Sequence, residues 1–189
     1  MDLNEIFEKN GIYLVYGEPA TGKTTLALQV ALKCRKAIFI DIEKTASIER
    51  MKQINEKIEN IVFLKPNSFA EQVKVIENLK QLKKIDCIAI DTIGYYYRDE
   101  LKNDAYIANR FLDRQLRILK ELSKEIKIII NNQVYSDLEN NIKVVGGNMI
   151  RNWADIIIKL EKEPRKLRIE KPCQEEFLFE IKEKGINFI

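Results

Sequence analysis

Eight consecutive residues near the start of the chain, Gly17 to Thr24, constrain the fold more than any other segment. Their sequence is GEPATGKT, which matches the pattern G-x-x-x-x-G-K-[ST] at every fixed position. The apolar run Ile12 to Tyr16 precedes them, and a helical stretch from Gly22 to about Cys34 follows. A short apolar run predicts a buried strand, and a 3.6-residue period predicts a helix. The segment therefore predicts a strand, a tight loop and a helix in direct succession.

The rest of the chain continues this alternation of apolar runs and helical stretches. Strands are predicted at Ala37 to Asp41, Ile61 to Leu64, Ile85 to Asp91 and Ile126 to Asn131. Helices are predicted at about Ala46 to Lys57, from the capping box Ser68/Glu71 to about Leu82, and at about Asp104 to Ser123. A loop is predicted between the strand that ends at Asp91 and the last of these helices. Apolar strands separated by helices favour a parallel sheet covered on both faces.

The pattern changes after Asp155. Three strand candidates, Ile156 to Leu160, Leu167 to Lys171 and Phe177 to Ile181, follow one another with short connections and no long helical period. Short connections suit antiparallel neighbours. We therefore expect an α/β fold with a mostly parallel central sheet and a C-terminal antiparallel β extension.

Composition narrows the class of protein further. The 189 residues, 46% apolar and 32% charged, predict a single soluble globular domain spanning 1–189. No apolar run approaches the ~18 residues of a membrane span, and the N-terminus has no signal-peptide pattern, so we expect a cytoplasmic protein. Cys34, Cys87 and Cys173 lack metal-site spacing and are interpreted as reduced thiols. The chain has no histidine, which excludes histidine catalysis and histidine metal ligands.

The residue types between Gly17 and Thr24 indicate a phosphate-binding loop. Glycines allow the sharp turn and the close approach of backbone N–H groups, and the following helix presents its positive end. Lys23 would reach the β- and γ-phosphates, the Thr24 hydroxyl would be a Mg²⁺ ligand, and Thr25 can bond the α-phosphate. We predict binding of ATP with Mg²⁺ through Gly17, Glu18, Pro19, Ala20, Thr21, Gly22, Lys23, Thr24 and Thr25.

A magnesium site of this kind needs a carboxylate at the end of another buried strand. Asp91 ends the run Ile85 to Asp91 and would hold Mg²⁺ through a water. The alternative is an aspartate that caps a helix or a turn. Asp41 is a rival ligand because it also ends an apolar strand.

Further segments carry a more specific pattern: Ile40-Asp41-Ile42-Glu43, Ser47-Ile48-Glu49-Arg50, Ile90-Asp91-Thr92, Tyr97-Arg98, Asn131-Asn132-Gln133-Val134-Tyr135, and Gly146-Gly147 with Trp153. Together with the Gly17 to Thr24 segment they resemble the RecA/RadA recombinase superfamily, and most closely the archaeal RadB group. Ala20 stands where glycine is common in that group. The match covers nearly the whole chain.

The resemblance implies a RecA-like P-loop NTPase core in which the strand at Ile126 to Asn131 lies beside the P-loop strand. It implies that Glu43 is the general base and that Gln133 senses the γ-phosphate, with Lys23 completing the catalytic set. It further implies that the N-terminal helical DNA-binding domain of RadA is lacking. Lys171 stands at a K-H-R segment of the family, but the neighbouring histidine and arginine are missing here.

The function that the resemblance implies is a slow ATPase that assists homologous recombination and DNA repair. Its implied partners are single-stranded DNA, a RadA-type recombinase and a Holliday-junction resolvase; a homo-oligomer stays open. The alternatives are a KaiC-like regulatory ATPase without a DNA role and, last, a P-loop kinase, for which no Arg-rich lid is visible. Charges in the DNA-facing loops nearly cancel, since Asp137 and Glu139 face only Lys143, which favours a helper over a DNA-driven motor.

Three side-chain groups keep two interpretations at this point. Tyr95 to Tyr97 could stack on single-stranded bases or cover the core. Arg110, Arg114 and Arg117 share a helix face, which suits either a partner or a salt-bridged surface. Trp153 is interpreted as a packing residue, with a ligand contact as the alternative.

Overall fold

The computed structural model describes residues 3–136 and 142–189. Its strands are β1 Gly11–Gly17, β2 Ala37–Asp41, β3 Ile61–Leu64, β4 Cys87–Asp91, β5 Lys127–Asn132, β6 Val134–Ser136, β7 Ile142–Val144, β8 Ile156–Lys162, β9 Arg165–Lys171, β10 Glu175–Lys182 and β11 Gly185–Phe188. Its helices are α1 Leu3–Ile6, α2 Lys23–Lys33, α3 Ile48–Ile54, α4 Phe69–Asn78, α5 Gly94–Asn103, α6 Ala105–Leu122 and α7 Gly147–Trp153, with a 3₁₀ turn at Leu79–Gln81.

Nine strands form one sheet in the order β11-β10-β9-β8-β1-β5-β4-β2-β3. The pairs from β8 through β1, β5, β4 and β2 to β3 are parallel. The pairs from β8 through β9 and β10 to β11 are antiparallel. The predicted α/β fold with a C-terminal antiparallel extension is confirmed, as is the position of β5 beside the P-loop strand β1.

The core consists of two apolar layers, one on each face of the sheet. Alternate residues of β1 divide between them: Ile12 and Leu14 pack in the layer under α4, α5 and α6, while Tyr13 and Val15 pack in the layer under α2. All four side chains are fully buried. Burial on both faces explains why β1 is a continuous apolar run instead of an alternating one.

The predicted loop after β4 is wrong, because residues 94–103 form the helix α5. Its three consecutive tyrosines are weak helix formers, and the better helix formers Arg98 to Lys102 come only after them, so the sequence signal for the helix is weak. Packing stabilises it instead: Tyr97 is buried against Phe69, with the ring centroids 6.3 Å apart. Asp104 then leaves the helical conformation, and its carboxylate accepts the backbone N–H of Ile107 to begin α6.

The capping box at Ser68 forms in an altered way. The Ser68 hydroxyl accepts the backbone N–H of Glu71, as predicted. The Glu71 carboxylate, however, accepts the backbone N–H of Asn67 at 2.7 Å. The short elements α1, α7 and β11 and the β6–β7 hairpin were not predicted from the sequence. No helix in the two described ranges is long and apolar enough to cross a membrane.

Candidate nucleotide site at the carboxyl edge of the sheet

The loop between β1 and α2 closely approaches the C-terminal strands. A Cβ on Gly17 would lie 2.3 Å from the Leu160 carbonyl oxygen of β8, so only glycine fits there. Gly22 has φ +105°, and its Cβ would lie 2.8 Å from Ile181 of β10. Ala20 adopts φ 64°, a left-handed conformation that costs an alanine about 1–2 kcal/mol.

Two side chains contact the top of this loop from the β8–β9 hairpin. Arg165 donates to the Ala20 carbonyl at 3.2 Å, and the ammonium of Lys162 lies 3.3 Å from the Glu18 carboxylate. Within the loop, the Thr21 hydroxyl donates to the Glu18 carbonyl at 2.9 Å. The P-loop is therefore stabilised by a hydrogen bond within the loop and by contacts with the C-terminal antiparallel extension.

Lys23 folds back over the loop that precedes it. Its Nζ donates to the carbonyl oxygens of Gly17 and Glu18, each at 2.8 Å. Burial lowers the pKa of Lys23, and the nearby carboxylates of Asp91 and Glu43 act in the opposite direction. The Lys23 ammonium is buried and donates hydrogen bonds to backbone carbonyl oxygens. Phosphate oxygens could take the place of those carbonyl oxygens as acceptors.

Thr24, Asp91 and Asn131 form a second contact in the site. The Thr24 hydroxyl donates to Asp91 Oδ2 at 2.5 Å, and the Asn131 amide donates to Asp91 Oδ1 at 3.0 Å. Burial raises the pKa of Asp91, and both hydrogen bonds oppose that rise. Asn131 was not predicted as a site residue; its position at the end of a buried strand next to β4 is the signal that could have identified it.

The rival carboxylate, Asp41, is engaged elsewhere. Its Oδ1 accepts the backbone N–H of Thr45 at 3.1 Å, and its Oδ2 lies 3.4 Å from the ammonium of Lys65. Asp41 thus closes the turn that follows β2. Within the described ranges, the carboxylate that accepts the Thr24 hydroxyl is that of Asp91.

Glu43 and Gln133 come together through a residue that the sequence did not single out. Glu43 Oε1 accepts the Thr92 hydroxyl at 2.5 Å and the Gln133 amide at 2.8 Å. Thr92 can reach Glu43 because β2 and β4 are neighbours that end level, with Asp41 opposite Asp91. The contact joins the segments after three different strands.

These groups line one cavity of about 350 Å³ at the carboxyl edge of the parallel strands. Its lining comprises Pro19, Ala20, Gly22, Lys23, Thr24, Thr25, Glu43, Thr45, Asp91, Thr92, Gln133 and Ile181. The other predicted loop residues, Gly17, Glu18 and Thr21, line a neighbouring cavity of about 340 Å³ with Tyr16 and β8. The carboxyl edge is where open α/β sheets bind ligands.

Comparison with known proteins identifies the family. A family model described as an AAA domain matches residues 9–182. A protein named DNA repair and recombination protein RadB from Methanococcus maripaludis is 35% identical, over 99% of this chain and 95% of the relative. The chain belongs to the RadB family. The RadB protein of Methanocaldococcus jannaschii is also 35% identical, over 96% of this chain and 95% of its own length. That of Methanosphaera stadtmanae is 35% identical, over 95% of this chain and 88% of its own length. RadB membership indicates a role in DNA repair and recombination and a nucleotide-binding P-loop domain.

The three tyrosines of this RadB-family chain have different surroundings on α5. Tyr97 is buried and donates to Asn109, whereas Tyr96 packs on the core and donates to the Pro66 carbonyl. Tyr95 is 36% exposed and packs edge-on against Tyr96. Tyr95 is the most exposed of the three tyrosines and is therefore the one that a base could approach most easily.

The arginine face of α6 is largely salt-bridged. Arg114 pairs with Glu77 at 2.8 Å, and Arg117 pairs with Asp113 at 2.7 Å. Trp153 donates to Asp113 and packs on the core, as a packing residue would. Lys171 donates to the Ala154 carbonyl. Asp137 and Glu139, predicted to offset Lys143 in the second loop, lie outside the described residues, as does the side chain of Lys143.

Proposed function

We propose that this RadB-family chain is a single-domain cytoplasmic ATPase that binds Mg²⁺–ATP and hydrolyses it slowly to assist homologous recombination and repair. The observation that carries the proposal is the convergence of Lys23, Thr24, Asp91, Glu43 and Gln133 on one cavity. Their chemistry covers phosphate binding, metal binding, base catalysis and phosphate sensing. The RadB name of the relatives supplies the recombination role.

Phosphate binding rests on Lys23 and the start of α2. The ammonium would exchange its bonds to the Gly17 and Glu18 carbonyls for bonds to phosphate oxygens. The first backbone N–H groups of α2 lack helical partners and carry the positive end of the helix dipole. These backbone N–H groups are in place before a triphosphate arrives, which reduces the ordering cost of binding.

The pair Thr24 and Asp91 fits a magnesium ion. Hydroxyl and carboxylate oxygens are the ligands that Mg²⁺ prefers, and the hydrogen bond between Thr24 and Asp91 brings one of each together. This hydrogen bond would give way to the ion, with Thr24 as a direct ligand, Asp91 holding the ion through a water, and Asn131 fixing the orientation of the carboxylate. When bound, Mg²⁺ neutralises charge on the phosphate oxygens.

Glu43 is suited to accept a proton from an attacking water. A carboxylate has about four acceptor positions, and Thr92 and Gln133 use two of them, both on Oε1. The two donors fix the carboxylate without exhausting it. Gln133 is bonded to Glu43 and lies directly before β6, so it would report the γ-phosphate to the loop that follows.

Replacing Thr92 with valine tests the orientation of Glu43. Valine keeps the shape but removes a hydrogen bond to a charged group, about 1.5–3 kcal/mol, so we expect single-turnover hydrolysis to slow about 10–100-fold with unchanged ATP affinity. Thr92→Ser, which restores the hydroxyl, should recover most of the rate. A Thr92→Val variant with the wild-type rate, or with affinity and rate lost together, would contradict a positioning role.

The helper role follows from the charges near the site. DNA binding depends on cations that neutralise phosphates. On α5 the ammonium of Lys102 pairs with Asp99 at 3.1 Å, so its charge is offset locally. We therefore propose weak or assisted binding to single-stranded DNA. Contacts with a RadA-type recombinase and a Holliday-junction resolvase are proposed from the family resemblance alone. The KaiC-like alternative has no observation in its favour once RadB membership is established.

The deciding experiment measures the ATPase rate with and without single-stranded DNA, and again with a RadA-type recombinase. We expect a slow, Mg²⁺-dependent rate that DNA alone changes less than twofold, with retained recombinase binding. Strong stimulation by DNA alone would indicate a true recombinase. An absence of ATP binding would overturn the nucleotide assignment itself.

Tyr95 is the residue on α5 to test for base stacking. Stacking contributes about 1–3 kcal/mol per base, so Tyr95→Ala should weaken single-stranded DNA binding about 5–100-fold, with only a small fall in the melting temperature from the lost ring contact with Tyr96. Tyr106→Ala, at the start of α6 and 73% exposed, is the matched control and should bind normally. Equal affinity of the Tyr95→Ala variant and the wild type would exclude stacking at this position.

A further inference from the structure

Two glutamines meet inside the apolar layer under α4, α5 and α6. Gln72 lies on α4 and Gln115 on α6, and both are completely buried. The other buried residues of these two helices are apolar. Burying an amide is unfavourable unless it is hydrogen-bonded, so the contacts of this pair need an explanation.

The two amides form one chain of hydrogen bonds. Gln115 Nε2 donates to the Phe111 carbonyl at 3.2 Å. Gln72 Nε2 donates both to Gln115 Oε1 at 2.9 Å and to the Ile93 carbonyl at 3.1 Å. A backbone carbonyl can only accept, and one lies at each end of the chain. Both amides are therefore held in a single orientation.

The pair is not arranged for the greatest stability. Among the residues that the structure describes, none donates to the buried Oε1 of Gln72. Apolar side chains of the same shape would fill this space with no polar atom left unpaired. An apolar side chain could pack against Ile93, but it could not bind the Ile93 carbonyl. What the glutamines add is a fixed direction for that carbonyl.

The backbone on both sides of Thr92 is fixed by such contacts. Ile93 follows Thr92 in the turn between β4 and α5, and its N–H donates to the Asn131 carbonyl at 3.2 Å. Its carbonyl accepts the glutamine chain. On the other side of Thr92, the Asp91 carbonyl accepts the backbone N–H of Glu43 at 3.2 Å. The position of Thr92 therefore depends on the contacts of its two neighbours.

The position of Thr92 matters because its hydroxyl bonds to Glu43. That bond is 2.5 Å long, and a hydrogen bond weakens steeply when its geometry is distorted. A contact that holds the Ile93 backbone thus also holds the hydroxyl that orients the Glu43 carboxylate.

We propose that Gln72 is a positioning residue for ATP hydrolysis, which acts through Ile93 and Thr92 on Glu43. Gln115 holds the amide of Gln72 in the required orientation. Gln72 is completely buried and is not part of the lining of the nucleotide cavity, so it acts without touching the nucleotide. The inference rests on the proposed function, in which Glu43 is the general base.

The main test replaces both glutamines with methionine, which has a similar shape and no N–H donor. Because both partners of a buried hydrogen bond are removed together, the melting temperature should equal or exceed that of the wild type. Single-turnover hydrolysis should slow about 3–10-fold, the effect of one neutral hydrogen bond. The affinity for a non-hydrolysable ATP analogue should be unchanged. Gln81→Met, at an exposed glutamine of the 3₁₀ turn after α4, is the matched control and should change none of the three.

A combination with Thr92→Val tests the route of the effect. With valine at position 92, the methionine pair should not slow hydrolysis further, because the hydroxyl that Gln72 positions is gone. Losses that multiply would show that Gln72 does not act through Thr92 and would overturn the proposal.

Gln115→Met alone separates positioning from stability. It leaves one N–H of Gln72 buried without its acceptor, so the melting temperature should fall below that of the double variant. The bond from Gln72 to Ile93 remains, so hydrolysis should slow less than in the double variant. If the rate instead falls in step with the melting temperature across these variants, the pair supports the fold alone and the proposal is wrong.

Amide hydrogen exchange tests the positioning without any nucleotide. Residues 92–97 should exchange several-fold faster in the double variant than in the wild type, whereas β1 should exchange at the wild-type rate. Unchanged exchange of residues 92–97 would overturn the role of Gln72. A wild type that does not hydrolyse ATP would contradict the proposed function, and the exchange measurement would still decide whether Gln72 fixes this turn.

Discussion

The Lys23→Ala variant is expected to lose ATP binding. In the wild type the buried ammonium is held 2.8 Å from two P-loop carbonyls, where it can transfer to phosphate oxygens. Charge-assisted hydrogen bonds contribute about 1.5–3 kcal/mol each, and two of them correspond to an affinity loss of at least about 100-fold. Isothermal titration with a non-hydrolysable ATP analogue measures the loss directly.

Lys33→Ala is the matched control for this experiment. Lys33 is an exposed lysine at the other end of the same helix, where it donates to Asn4, so ATP affinity should stay at the wild-type value. Burial lowers the pKa of Lys23, so its ammonium loses its proton at a lower pH than that of an exposed lysine. The ATP affinity of the wild type should therefore begin to fall at that lower alkaline pH. Unchanged ATP affinity in Lys23→Ala would overturn the P-loop assignment.

The Glu43→Gln variant is expected to bind ATP normally and to hydrolyse it about 100–10,000-fold more slowly, the range that a general base contributes. Glutamine keeps the length of the side chain and an oxygen that can accept the Thr92 hydroxyl. It cannot accept a proton from water. Single-turnover hydrolysis, measured with the dissociation constant of the ATP analogue, separates the two effects.

Glu49→Gln provides the control for the change of charge. Glu49 is exposed on α3 and should leave both binding and hydrolysis unchanged. If Glu43→Gln hydrolyses ATP at the wild-type rate, the base lies elsewhere in the site. If affinity falls in parallel with the rate, Glu43 supports the architecture of the cavity instead of the chemistry.

The local sequence pattern predicted β1, the P-loop and α2 well, because each of these three elements has a characteristic pattern within a few residues. The apolar run predicts the strand, Gly17 and Gly22 predict the loop, and the period predicts the helix. The order of β1 beside β5 followed from the family resemblance and was confirmed. The observed strand ends differ from the predicted ones by up to two residues; for example, β4 begins at Cys87 instead of Ile85.

The contacts that local pattern missed are those made between distant segments. Thr92 bonds to Glu43, and Asn131 bonds to Asp91, because three strands end side by side. The helix α5 begins with weak helix formers, and the burial of Tyr97 in the core stabilises it.

The contacts of the β8–β9 hairpin with the P-loop have a thermodynamic consequence. Arg165 bonds to the carbonyl of Ala20, and the carbonyl of Leu160 faces Gly17. A ligand that orders the loop should therefore also protect strands β8, β9 and β10 from local unfolding, by linkage. Conversely, a substitution far along the chain that strains the hairpin, for example at Arg165, would weaken the binding of a ligand that does not contact that residue. Amide hydrogen exchange in β9 and β10 would then report occupancy of a site built mostly from the first half of the chain.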